Sequence, residues 1–232
     1  MPKVKNRNNI EDFLFESHGK SLKNNKEHTL FGTILVSVID PLPENVDIKR
    51  VLDRIVDAIP EHLVFGIDSI YIEHLEDFDE RNINALYRDQ TIYVSNFQDN
   101  EEDMIDDIVH EIAHSVESLY NMAIYQDQSL VNEFLGKKKR LLDLLEQEGY
   151  NVNEEEYSNV QFSKQYDDFL YKQVGYPKVS GLTKGLFLSP YSATSVREYF
   201  AIGFENYFLK DARYVKTLCP NLYSKIAEIS KI

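Results

Sequence analysis

Two observations predict an α+β fold. β-branched apolar runs cluster before residue 97, and amphipathic helical stripes dominate from about residue 100 to the end. A third bounds its size: 232 residues at 43% hydrophobic can bury one substantial core, so a single large domain is expected.

Residues 1–28 are polar, with "KNRNN" and "KNNKEH" clusters, and are expected to form a loosely ordered arm ahead of a domain spanning 29–232. "LFGTILVSV" (30–38) reads as a buried strand, after which "PLPEN" punctuates. Ile48, Val51, Leu52, Ile55, Val56 and Ile59 recur at steps of three and four, which predicts a helix ended by Pro60. "VFGIDSIYIEH" (64–74) reads as a second strand, and "NALYRDQTIYVSN" (84–96) as a hairpin turning near "RDQ".

In "FQDNEEDM", Asp99 is placed to cap a helix, with Glu102 three residues on and further acids in the first turn, where the helix dipole favours them. The apolar stripe of that helix is Ile105, Ile108, Val109, Ile112, Val116 and Leu119. "LVNEFLGKKKRLLDLLEQEGY" (130–150) reads as a surface helix closed at Gly149. Residues near 150–187 lack a clear pattern and are read as an insertion. Helical patterns return at Ser195–Leu209 and Asn221–Ile229. In the first of these Phe200, Phe204 and Phe208 repeat every four residues, while small Ala201 and Gly203 allow close approach to a neighbouring helix.

Composition excludes several function classes. With 25 basic and 39 acidic residues the net charge is -14, which repels phosphate backbones, so nucleic acid is not an expected partner. The single cysteine, Cys219, can form neither an internal disulfide nor a thiolate cluster and is expected to pack near the last helix. No signal-type apolar run and no membrane-length segment is present, which predicts a cytoplasmic protein without a membrane partner, although signal-independent export would leave no trace. P-loop, dinucleotide-binding and nucleophile-elbow motifs are absent. His18, His28, His62 and His74 have no ligand spacing and read as surface or strand residues.

The chemistry concentrates in "DDIVHEIAHSVE" (106–117). On a helix, residues four apart lie about 40° from one another and about 6 Å along the axis, so His110 and His114 can aim ring nitrogens at one point. Glu111 sits about 100° round from His110, beside a shared metal rather than on it, where it can hold a water. This is the zincin motif H-E-x-x-H, whose zinc needs a third protein ligand and an open position. The metzincin continuation is excluded, because Glu117 and Tyr120 stand three and six residues past His114 and no histidine follows. A downstream third ligand must then be a carboxylate. Glu198 is one candidate, and Glu205, seven residues on and on the same face, is a possible substitute. Ser195 and Glu198 also form S-x-x-E, a capping box that would turn the glutamate back onto its own helix. The residues alone leave these readings open.

"HEIAHSVE" together with "REYFAIGFENYF" and Tyr191, seven residues before Glu198, resembles the catalytic domain of anthrax lethal factor and the related Pro-Pro endopeptidases. The resemblance covers roughly residues 60–232, is strongest in those two blocks, and extends to the tail "CPNLYSKIAEISKI". It implies a zincin-like fold: a small mixed sheet with an edge strand over the cleft, an active-site helix bearing H-E-x-x-H, and a helical C-terminal half. It also implies that Glu198 is the third zinc ligand and that Tyr191 lies across the metal from it. The chain departs from the family in having Ile202 where a second glutamate is common, in a longer span between His114 and Glu198, and in Glu117 where relatives carry aspartate.

The expected function is hydrolysis of protein or peptide substrates by a gluzincin-type metallopeptidase. One Zn2+ is held by His110, His114 and Glu198, Glu111 acts as general base, and Tyr191, by resemblance, donates a hydrogen bond to the developing oxyanion. "TIYVSN" (91–96) is the expected edge strand for an extended substrate, and the acidic surface suggests basic peptides. Two alternatives share these metal ligands. The departure at Ile202 favours an inactive zincin-fold binding or structural protein, and a zinc hydrolase of something other than peptides is the other.

Overall fold

The computed structural model describes residues 26–75, 78 and 83–232. His18 and the polar segment up to residue 25 therefore lie outside the described residues. The architecture is α+β, with one five-stranded mixed sheet followed by helices. The strands are β1 (Lys26–Leu30), β2 (Ile34–Val38), β3 (Ser69–Glu73), β4 (Ala85–Arg88) and β5 (Thr91–Ser95), in spatial order β1-β2-β3-β5-β4. Pairing is antiparallel at both edges and parallel where β3 meets β2 and β5.

Three sheet expectations change. The run at 30–38 is two strands, because Phe31 and Gly32 adopt φ of 52° and 73° and the Leu30 carbonyl accepts the Thr33 N–H at 3.3 Å. Positive φ at both central residues defines a type I′ turn, whose twist suits a hairpin. The polar arm also stops short of residue 28, since Lys26–His28 begin β1. Third, β5, which holds most of "TIYVSN", is interior, flanked by β3 and β4. The edge strand of this hairpin is β4. The predicted turn near "RDQ" does form, with Asp89 and Gln90 at φ of 51° and 62°.

Helix α1 (Ile48–Ala58) buries Ile48, Val51, Leu52 and Ile55 and is capped by Asp47, whose side chain accepts the Lys49 N–H at 2.9 Å. Helix α2 (Glu101–Leu119) packs against α1 and the β4–β5 hairpin. Its cap is Asn100, one residue beyond the predicted Asp99; the Asn100 side chain accepts the Asp103 N–H at 3.0 Å. The predicted stripe is buried from Ile105 to Val116, while Leu119 at its end is exposed.

Short α3 (Asn121–Tyr125) leads to α4 (Ser129–Gln147), which is not a surface helix: Leu130, Phe134, Leu141, Leu142 and Leu145 are buried in the core. Lys138, from the basic run, is also fully buried, donating to Glu156 at 2.7 Å and to the Asn159 carbonyl at 2.9 Å. A buried charge is tolerated only with such partners. The segment read as an insertion is folded: α5 (Lys164–Asp168), a π-helical stretch (Phe169–Gly175) and α6 (Tyr176–Thr183) send Tyr166, Leu170, Val174 and Val179 into the core.

The C-terminal helices are α7 (Val196–Leu209), α8 (Ala212–Leu218) and α9 (Pro220–Ile229). Phe200 and Phe204 are buried, and the small-residue expectation holds at Gly203, where an added Cβ would stand 2.3 Å from Leu222 Cδ2 of α9. Leu222 is itself fully buried and has little room to move. Gly203→Ala should therefore lower unfolding free energy by roughly 1–3 kcal/mol through overpacking, despite alanine's better helix propensity. Urea denaturation measures this, and unchanged stability would show that α7 and α9 separate freely. Among the described residues no helix is long and apolar enough to cross a membrane.

Candidate metal centre

Spacing on α2 sets His110 and His114 side by side, with ring centroids 5.0 Å apart and planes at 83°. Packing of α7 against α2 then brings in Glu198 from 88 residues away. Its Oε2 lies 3.0 Å from His110 Nε2, and its Oε1 lies 3.7 Å from His114 Nε2. Both imidazoles thus present Nε2 to a single carboxylate.

The capping box is half formed. Ser195 caps α7 by accepting the Glu198 N–H at 3.2 Å, but the Glu198 carboxylate faces the imidazoles. The Glu198 N–H is thereby satisfied by the Ser195 hydroxyl, and the Val196 N–H by the Val160 carbonyl at 2.9 Å, which leaves the acid free of the cap.

The other ring nitrogens meet carboxylates as well. His110 Nδ1 lies 3.8 Å from Glu205 Oε2, and His114 Nδ1, buried, lies 3.5 Å from Glu117 Oε2, longer than a well-formed hydrogen bond. Glu205, the possible substitute ligand, therefore stands on the far side of His110 from Glu198. Lys210 holds it at 2.5 Å and also reaches Asp106 at 2.9 Å. Glu117 is 5% exposed, accepting from the Tyr125 hydroxyl at 2.6 Å and from Arg197 Nε at 2.8 Å. Nothing in the sequence singled out Tyr125, and Arg197 could be found only as the neighbour of Glu198.

These charges set the titration. Burial disfavours a charged His110, but its hydrogen bond to Glu198, the nearby Glu205 carboxylate and the charges of Glu198 and Glu111 outweigh that and hold it up to about 10. Burial raises Glu198, Glu117 and Glu205, yet each ends below the usual carboxylate range. His110 and His114 do this for Glu198, while His114, Tyr125 and Arg197 do it for Glu117 and His110 and Lys210 for Glu205.

Glu111 is 7% exposed, and its Oε2 accepts the Tyr87 N–H of edge strand β4 at 2.6 Å. It could offer an oxygen within 4.8 Å of the imidazole donors. Its bond to β4 instead draws it to the wall of the cleft, leaving Glu198 as the acid between both Nε2 atoms. Tyr191, in the 3-10 turn Tyr191–Ala193, lines the same cleft of ≈ 580 Å³ with His110, Glu111, Ile202 and Glu205. Burial, then the charge of Glu198, raises its phenol above the ordinary range, so it is a hydrogen-bond donor at neutral pH. Asp107, also on the cleft, accepts from Gln98 at 3.1 Å and is pushed up to about 6 by burial.

Two imidazole nitrogens and a carboxylate held together by two packed helices fit a divalent metal ion. The structure thus brings His110, His114 and Glu198 together, with Glu111 and Tyr191 on the adjoining cleft. Comparison with protein-family models, with curated proteins and with solved structures returned no match.

Proposed function

We propose that the protein is a zinc-dependent endopeptidase with a zincin-like fold and a gluzincin ligand set. The observation that carries this reading is the convergence of His110 Nε2 and His114 Nε2 on the two oxygens of Glu198, with Glu111 of the same helix on the adjoining cleft. His110, His114 and Glu198 would hold Zn2+. Bound zinc supplies the Lewis acidity that polarises a carbonyl and makes water a nucleophile near neutral pH.

The chain's own groups supply the rest. Glu111 takes a proton from the attacking water with the oxygen that Tyr87 leaves free, then passes it to the leaving amine. Tyr191 donates its hydroxyl hydrogen to the substrate oxygen as negative charge develops. Strand β4 is an outer strand of the sheet beside this cleft, with no further strand on it among the described residues, so an extended peptide can pair with its main chain, sharing that side with Glu111, which takes the Tyr87 N–H. Glu205 stands against His110 where Ile202 cannot, and Glu117 stands against His114, so each ligand has a carboxylate behind it.

The test is metal analysis of the purified protein beside a proteome-derived peptide cleavage screen. About one zinc per chain with cleavage is expected. Zinc without any cleavage would favour the inactive zincin-fold binding or structural protein. Glu117→Ala is expected to weaken zinc binding about 10–100-fold in competition with a chromophoric chelator, since His114 loses the carboxylate beside Nδ1. Unchanged affinity would remove Glu117 from that role.

A further inference from the structure

A second cleft, also ≈ 580 Å³, borders α2 one helical turn past His114 and is closed by the first turn of α7. Its lining differs in charge from that of the catalytic cleft. The catalytic side carries Asp106, Asp107, Glu111 and Glu205. Here Arg197 is the cation among the lining residues, and Ser118, Asn121 and Gln161 add neutral hydrogen-bonding side chains.

We infer that this second cleft is a carboxylate-recognition subsite for the substrate, with Arg197 as the anion-binding residue. The inference rests on the peptidase reading for the word substrate; the binding chemistry stands on the cleft itself. Arg197 spends only Nε, on Glu117, and its side chain is 53% exposed, so the terminal guanidinium nitrogens make no further bond among the described residues. A guanidinium presents five N–H donors in a planar fork matched to a carboxylate. Glu117 does not close the site to anions, because it is buried and both its oxygens are engaged, by the Tyr125 hydroxyl and by Arg197. The side chains of Ser118, Asn121 and Gln161 form no hydrogen bond within the described residues and are available to the same ligand. The first turn of α7 adds a dipole of favourable sign.

Two sources offer this chemistry close to a cleavage point: an acidic side chain, or the free C-terminal carboxylate of a short peptide. Fluorescein-labelled hexapeptide pools separate them. Pools with a single Asp or a single Asn at each position in turn, each with free or amidated C-terminus, are titrated by anisotropy into zinc-loaded Glu111→Gln protein. The Asp pools, or the free-terminus pools, should bind roughly ten- to a hundredfold tighter than their neutral counterparts. Arg197→Gln should remove that preference and Arg197→Lys retain part of it. Ser118→Asp, which leaves the Arg197–Glu117 pair in place and puts a like charge at an exposed cleft position, should also remove it. Equal affinity for all pools, or a preference that survives Ser118→Asp, overturns the assignment. Because binding is read without turnover, a protein that prefers the acidic pools but cleaves nothing as wild type would overturn the peptidase reading and leave the subsite standing.

Discussion

Glu198→Ala protein, purified and desalted, is expected to carry well under about 0.1 zinc per chain where wild type carries about one. Removing an outer carboxylate typically costs about 10–100-fold in metal affinity, and removing the acid that lies between both Nε2 atoms should cost more. Peptide hydrolysis should disappear with the metal. The comparison that isolates the effect is Glu205→Ala, whose carboxylate faces Nδ1 of His110 and whose loss should leave zinc nearly stoichiometric. Because the start of α7 is capped by the Ser195 hydroxyl and the Val160 carbonyl and not by the Glu198 carboxylate, the Glu198→Ala chain should keep its far-UV circular dichroism. Full zinc content in a folded Glu198→Ala protein would mean that another acid completes the site.

The second large effect is chemical. Glu111→Gln should retain zinc yet lose roughly 10²–10⁴ in kcat, which is about 2.7–5.4 kcal/mol of barrier, because an amide cannot accept the water's proton. The amide oxygen can still accept the Tyr87 N–H, so strand β4 and the cleft wall stay in place. Peptide affinity should change little. Turnover near the wild-type rate would take the general-base role away from Glu111.

Much of this site can be read along the chain because its central part is local. His110, Glu111 and His114 lie within one helical turn and a residue, so spacing alone specifies their geometry on α2. Glu198 could not be separated from a capping box by spacing, since the same four residues encode either outcome; only the seating of α7 against α2 turns its carboxylate to the imidazoles. Arg197 and Tyr125 were invisible for the same reason, as their common partner Glu117 is met only through tertiary packing. At the level of elements, strand order was the weak point. Both arms of a hairpin look alike in pattern, and nothing in "TIYVSN" reveals that β3 covers its outer side. The basic run in α4 hid a buried face, because Lys138 is neutralised by Glu156 from a segment with no periodicity of its own. Gly32 was the available signal for the turn that splits residues 30–38.

The link between Tyr87 and Glu111 ties the rim of the sheet to the proposed proton acceptor as one mechanical unit. A peptide zipping onto that rim would tug the acid, and a vacant rim would leave it parked. Docking and proton transfer would then be geared together, so alterations to β4 far from any ligand should register first as altered turnover.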